Sequence, residues 1–229
     1  MLVDVLSRSF EEIRKANTRM FRPPSTKEFE RRIREHLKDK EAAISLYLRY
    51  VMEASQIESR KIEEKDVKRV IGSFLLKWGR MSRVLKHPRR IGWERLLAVR
   101  LREIAGILDE LKEKDLAKLK MEELDGLAED IKRCYLAFRK ILGPTSAGKA
   151  LHILAPNFFP LWDARIRSLY GIKQTDERAY FRFIQTVKKL WFFDENLREC
   201  LEGLEKEFKI SKLRLIDIYC WLMAREDRF

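Results

Sequence analysis

Apolar residues recur along this chain at intervals of three and four, the period of a helix, and no β-branched run alternates as a strand would. Val3, Leu6, Phe10, Ile13 and Met20 mark a helix over about 3–22, and Pro23-Pro24 stop it. Ser25-Thr26-Lys27-Glu28 has the letters of a capping box and predicts a second start. Residues 27–57 carry Phe29, Ile33, His36 and Leu37, then Ala43, Ile44, Tyr47, Leu48 and Val51, with a break expected near Lys38-Asp39. Asp66 is placed to cap a helix running to about Leu85, with Val67, Val70, Ile71, Phe74, Leu75 and Trp78 inward. A basic loop holding His87-Pro88 and Gly92 leads into a helix over 93–112. Further helices are predicted at about 122–141, 145–154, 163–170, 176–192, 195–208 and 212–225. The pattern predicts an all-α fold. The charged stretch 113–120 is the candidate soft boundary between an N-terminal helical region, 1–112, and a second region, 121–229, and the two are free to form one compact unit.

Composition narrows the class. An apolar share of 45% is enough for a core and too high for disorder. Only 9 Gly and 6 Pro in 229 residues are too few for the many turns of an all-β protein. No apolar run approaches the ~18–20 residues of a membrane span. Met1-Leu2-Val3-Asp4-Val5 lacks the basic start and apolar core of a secretion signal. A cytoplasmic protein is expected, nucleoid-associated if the source is prokaryotic. The 49 Lys and Arg against 36 Asp and Glu give a net charge of +13, which points to a polyanionic partner. Asn and Gln are scarce beside Lys, Arg and Glu, a balance seen in heat-adapted proteins. Cys134, Cys200 and Cys220 are far apart, and His36, His87 and His152 are scattered. No CxxC pair exists, so no metal or other cofactor is expected and the thiols read as small buried side chains.

The most informative stretch is Ile141-Leu142-Gly143-Pro144-Thr145-Ser146-Ala147-Gly148-Lys149-Ala150-Leu151. It reads as a helix, a tight turn and a second helix. Gly143 suits a positive-φ turn position, and Pro144 suits the first turn of the helix that follows. Ala147 and Gly148 are small enough for a close helix approach. Free amides at such a turn favour an anion. The spacing GxxxxGK also matches a nucleotide-binding P-loop. That match fails because Ala150 stands where Ser or Thr would hold magnesium, the preceding segment reads as a helix, and no later strand ends in Asp.

The same letters resemble a helix-hairpin-helix motif of the form GIGPxTAxKxL. Gly143-Pro144 holds the second-glycine position, Ser146-Ala147 the TA pair, and Lys149 and Leu151 the basic and apolar positions after it. Ile141 stands where the first glycine is usual. The sequel, Pro156-Asn157-Phe158-Phe159-Pro160-Leu161-Trp162-Asp163 and then Ala164 to Gly171, is similar to the segment after the hairpin in the helix-hairpin-helix DNA glycosylase superfamily. The resemblance covers roughly residues 125–172. In that family a catalytic aspartate lies about eighteen residues beyond the position held here by Thr145, as Asp163 does. The resemblance implies that Asp163 stabilises positive charge at the sugar C1′ as a base departs. Asp163 is equally suited to be a plain helix N-cap, and the two roles are compatible. Thr145 stands where bifunctional members carry a nucleophilic lysine. A threonine forms no Schiff base, so water is the expected nucleophile and no strand-cleaving step is expected.

The implied partner is DNA, in double-stranded form. Candidate contacts are Gly143, Thr145, Ser146, Ala147 and Lys149 in the hairpin, and Arg165 and Arg167 after it. The basic run Lys77, Arg80, Arg83, Lys86, Arg89 and Arg90, interleaved with Trp78, Met81 and Trp93, adds phosphate contacts and an aromatic for stacking. The alternative is a solvated basic face over a core tryptophan. Trp162 and Trp191-Phe192-Phe193 read as core. Three functions stay open on the sequence: a monofunctional DNA glycosylase, a non-catalytic nucleic-acid-binding module on the same scaffold, and a helical interaction protein with an acidic partner.

Overall fold

Ser25 opens the first helix as its letters predict. Its Oγ accepts a hydrogen bond from the Glu28 amide at 3.3 Å, and α1 (Thr26–Leu37) buries Phe29, Ile33 and Leu37. The structure, a computed structural model, describes residues 21–226 without the side chain of Arg89. The helix expected over 3–22 therefore lies outside the described residues, but for Phe21 and Arg22. The break near Lys38-Asp39 is present, and α2 (Glu41–Ser55) follows it.

The single helix expected from Asp66 to Leu85 is not formed. A short α3 (Glu64–Asp66) passes into π-helical turns over Val67–Gly72 and Phe74–Trp78. These turns are wider than α-helical ones: the Gly79 amide donates five residues back to the Phe74 carbonyl at 2.7 Å. Val67, Val70, Ile71, Phe74 and Leu75 all stay buried, so the apolar spacing is served by the wider turn. The helix ends at Gly79-Arg80, where Arg80 has φ 54°, and α4 (Ser82–Leu85) begins anew. Two more predicted helices are broken in the middle. The segment 93–112 is α5 (Trp93–Glu103) and α6 (Ala105–Lys112), interrupted at Ile104. The segment 122–141 is α7 (Met121–Gly126) and α8 (Ala128–Leu142), interrupted after Gly126, a weak helix former.

The remaining helices stand close to their expected limits: α9 (Pro144–Leu154), α10 (Ala164–Leu169), α11 (Glu177–Phe192), α12 (Glu195–Phe208) and α13 (Lys212–Glu226). Asp163, Asp176 and Asp194 cap α10, α11 and α12, each accepting a backbone amide within two or three residues. The described residues form helices, turns and loops with no strand, so the fold is all-α. No helix among them is long and apolar enough to cross a membrane.

α8 is central. It buries Ile131, Cys134, Tyr135, Phe138 and Leu142 along one face and packs against α5, α9 and α11. The charged connector 113–120 is packed against other parts of the chain. Leu116 is fully buried, its amide donates to the Asn157 carbonyl at 2.9 Å, and Lys188 Nζ donates to the Ala117 carbonyl at 2.8 Å. α10 lies against α13, and α9 lies against α2 and the turns of Phe74–Trp78. These contacts bring residues far apart in sequence to the end of the α8–α9 hairpin.

Two buried features hold this region. Trp162 is fully buried and donates from Nε1 to the Tyr135 hydroxyl at 3.2 Å. Its Cδ1 lies 2.9 Å from where a Cβ on Gly148 would sit. The small residue therefore admits a tryptophan ring rather than a second helix. His152 is fully buried. Its Nδ1 lies 2.8 Å from the Phe159 carbonyl and so carries the proton, while Nε2, 2.7 Å from the Tyr47 hydroxyl, accepts from it. Burial drives the His152 pKa down from 6.5 to about 3.

Replacing Gly148→Ala should destabilise the fold by about 1–3 kcal/mol in urea unfolding, because the tryptophan ring must move. His152 is protonated below about pH 6.5 in the unfolded chain and resists protonation in the folded one. Its contribution to stability is thus complete above pH 6.5 and falls as pH drops toward 3. Between pH 6.5 and 5, stability should fall more steeply with acidity in the native chain than in His152→Gln.

Candidate functional site

The α8–α9 turn is built as its letters suggest. Gly143 adopts φ 78° and ψ 169°, a conformation in effect restricted to glycine, and Pro144 starts α9. The Tyr135 hydroxyl lies 3.2 Å from the Thr175 carbonyl and 3.4 Å from that of Pro144, pinning the turn to the loop before α11. Arg90 reaches the turn from the basic loop. Its Nη1 donates to the Ile141 carbonyl, one of the acceptors left free at a helix C-terminus, and its Nη2 lies against Gly143.

The hairpin candidates are placed unequally. Gly143 and Thr145 are partly exposed. Ser146 and Ala147 are buried, at 1% and 0% exposure, so their side chains lie beneath the surface that a phosphate would meet. Any direct grip here falls to Thr145 and to backbone amides. Lys149, read as a phosphate contact, turns inward instead and donates to the Gly79 carbonyl at 2.8 Å. That carbonyl is available because the π-helical segment ends at Gly79.

Lys149 faces a charged cluster assembled from four parts of the chain. Asp163 at the start of α10 and Asp217 on α13 both act on its amine, as do Arg214 on α13 and Arg80 after the π-helical turns. Burial lowers the Lys149 pKa, and the two carboxylates oppose that shift. Asp217 is ion-paired to Arg214 one turn away, with side-chain exposures of only 11% and 19%. Burial pushes the Asp217 pKa up, Arg214 pulls it back, and the Asp163 charge raises it further. The Arg214 guanidinium lies 4.6 Å from the Trp78 ring centre and 5.6 Å from that of Tyr47. Phe74 stacks on Trp78 at 4.8 Å, so the tryptophan expected to offer a stacking face has neighbours on its ring already.

Asp163 is partly exposed. Its Oδ1 accepts the amides of Arg165 at 2.8 Å and Ile166 at 3.0 Å, while nothing among the described residues bonds its Oδ2. The capping role read from the sequence is present, and it leaves one carboxylate oxygen oriented and free. A fixed carboxylate of this kind can stabilise positive charge on a group brought against it. Arg80, Arg83 and Lys86 are exposed, and Arg80 joins this run to the cluster. The Arg89 side chain lies outside the description. Arg165 is half-buried, and Arg167 lies over the Trp162 ring at 5.2 Å.

Sequence reasoning missed Arg214 and Asp217. The signal was present: an Arg-x-x-Asp pair on a helix whose neighbours Leu213, Leu215, Ile216 and Ile218 are all buried and apolar. Charges on such a face need partners from elsewhere.

Fold and site together define an all-helical protein with a half-buried ionic cluster beside a helical hairpin. The chain belongs to DUF6308, a family of unknown function, whose model matches residues 87–224. That span contains Arg90, the hairpin, Lys149, Asp163, Arg167, Arg214 and Asp217. No curated protein and no solved structure matches the chain.

Replacing Arg90→Ala removes a charged donor from the Ile141 carbonyl. The loss should cost about 1–3 kcal/mol in chemical denaturation while leaving the helix content by circular dichroism unchanged.

Proposed function

We propose that this protein binds DNA and hydrolyses the N-glycosidic bond of a damaged base, with Asp163 as the catalytic carboxylate. The observation that carries the reading is the free Oδ2 of Asp163, oriented by the amides that open α10 and within electrostatic reach of Lys149 on α9. Trp162, the residue before Asp163, is tied through the Tyr135 hydroxyl to the hairpin turn at Pro144. In this reading phosphates meet the turn at Gly143 and Thr145 and the exposed Arg80, Arg83 and Lys86. The sugar of an everted nucleotide is brought to Asp163. The C1′–N bond breaks with its electron pair on the leaving base. Water then adds its hydroxyl to C1′, and its proton ends on the base. Thr145 offers no amine, and Lys149 is held by the Gly79 carbonyl, so both favour water as the nucleophile.

One observation favours a second reading, a nucleic-acid-binding protein without catalysis on the same scaffold. The aromatic rings nearest the cluster are covered: Trp162 is fully buried, and Trp78 carries Phe74 and Arg214. A base pocket next to Asp163 would then need aromatic groups from elsewhere.

Incubation with duplexes carrying a panel of damaged bases, followed by alkali, separates the two. The proposal expects excision by the native chain, no excision by Asp163→Asn, and duplex affinity within about threefold in both, since the change removes one carboxylate and leaves every cationic phosphate contact in place. Equal turnover in Asp163→Asn would overturn the catalytic role. Binding should weaken steeply with salt, as several released counterions require, and salt-independent binding would remove nucleic acid as the partner.

A further inference from the structure

The face of α10 beyond Asp163 carries a second cationic feature. Arg167 stands one helical turn after Asp163 and lays its guanidinium 5.2 Å from the centre of the Trp162 ring. The buried indole fixes where this charge sits. Arg167 Nη1 is buried and has no hydrogen-bond acceptor. The side chain also lines a cavity of about 300 Å³ with Ala164, Ser168, Gly171, Ile172 and Lys173.

The chemistry of that wall is one-sided. It holds a guanidinium, an ammonium and a hydroxyl, and no carboxylate. Ala164 and Gly171 contribute almost no side chain, which leaves the space open. Among the described residues no ion pair involves Arg167 or Lys173. Arg139 adds to the positive field, since its charge and that of Arg167 both act on the Tyr135 hydroxyl. Asp176 acts on the same hydroxyl, but its Oδ1 is engaged by the Ala179 amide at 2.7 Å. A partly desolvated guanidinium that makes no ion pair, even with Asp163 one turn away, is costly, and a π face offsets only part of that cost. An anion with several acceptor oxygens would offset the rest.

We infer that this cavity is a phosphate-binding site, with the Arg167 guanidinium, the Lys173 ammonium and the Ser168 hydroxyl as its ligands. The phosphate is either a phosphodiester of a nucleic-acid strand or a free phosphate group. Only the first source rests on the function proposed above. Asp163 and Arg167 share one helix face, so a strand whose sugar meets Asp163 would present a neighbouring phosphodiester to the cavity.

Isothermal titration of the full chain at low ionic strength tests the site, using inorganic phosphate, a dinucleotide with one phosphodiester, and the parent nucleoside. The inference expects saturable one-site binding of at least one phosphate probe and none of the nucleoside. Lys173→Ala, a change at an exposed residue, and Arg167→Gln should each weaken that binding at least about tenfold, the scale of one lost charge-assisted contact. Arg165→Ala, outside the cavity wall, should not. Dinucleotide binding that falls in the same two variants identifies a strand as the source, and binding of inorganic phosphate alone identifies a free phosphate; either upholds the site. Absence of saturable phosphate binding, or equal affinity in native chain, Lys173→Ala and Arg167→Gln, overturns it. Asp163→Asn should not weaken phosphate binding, so failure of the catalytic proposal and failure of this site give different results.

Discussion

Trp162 sits in the notch that Gly148 leaves in α9, and the arrangement of the charged residues follows from that contact. Its indole donates to Tyr135 on α8, so the ring ties the segment before α10 to both helices of the hairpin. The next residue is Asp163, which is thereby held within electrostatic reach of Lys149 on α9. On another side of the same ring lies Arg167. One buried aromatic thus anchors the segment that carries the capping carboxylate and supports the guanidinium one turn later. Rigid support of this kind is what an exposed functional group needs to keep its geometry.

The cluster around Lys149 brings three cations, Lys149, Arg214 and Arg80, within electrostatic reach of two carboxylates, Asp163 and Asp217. Half-buried ions are a poor source of stability, because desolvation offsets much of their attraction. Their gathering from the π-helical segment, α9, α10 and α13 is better explained by what the charges do. Asp217 is paired with Arg214 and Lys149 is bonded to Gly79, which leaves Asp163 as the carboxylate with an oxygen to spare. The π-helical turns have a part in this, because their end presents the Gly79 carbonyl to the lysine.

Much of the scaffold was legible in the sequence. Ser25 and Asp163 cap helices, Gly143-Pro144 makes the turn, and the apolar period of three and four places the core. These are local signals, and local chemistry decides them. The packing of the charged stretch 113–120 is hidden because its partners, Asn157, Lys188 and Lys212, are distant in sequence. The setting of Lys149 is hidden for the same reason: an amine on a helix face says nothing of the carbonyl 70 residues away that accepts its hydrogen bond. Arg90 looked like a phosphate contact and is engaged by Ile141. The widened turns at 67–78 have no signature in a pattern that an α-helix also satisfies, and Arg214 and Asp217 stood out only as charges on an apolar face.

The most direct measurement is the affinity of the chain for a duplex in which one deoxyribose is replaced by a cationic pyrrolidine, compared with the same duplex carrying a neutral abasic sugar. A carboxylate aimed at a developing sugar cation should favour the charged ring by at least about tenfold, and Asp163→Asn should erase the preference. Equal affinity for the two duplexes in the native chain would contradict a catalytic Asp163 and leave a DNA-binding scaffold alone.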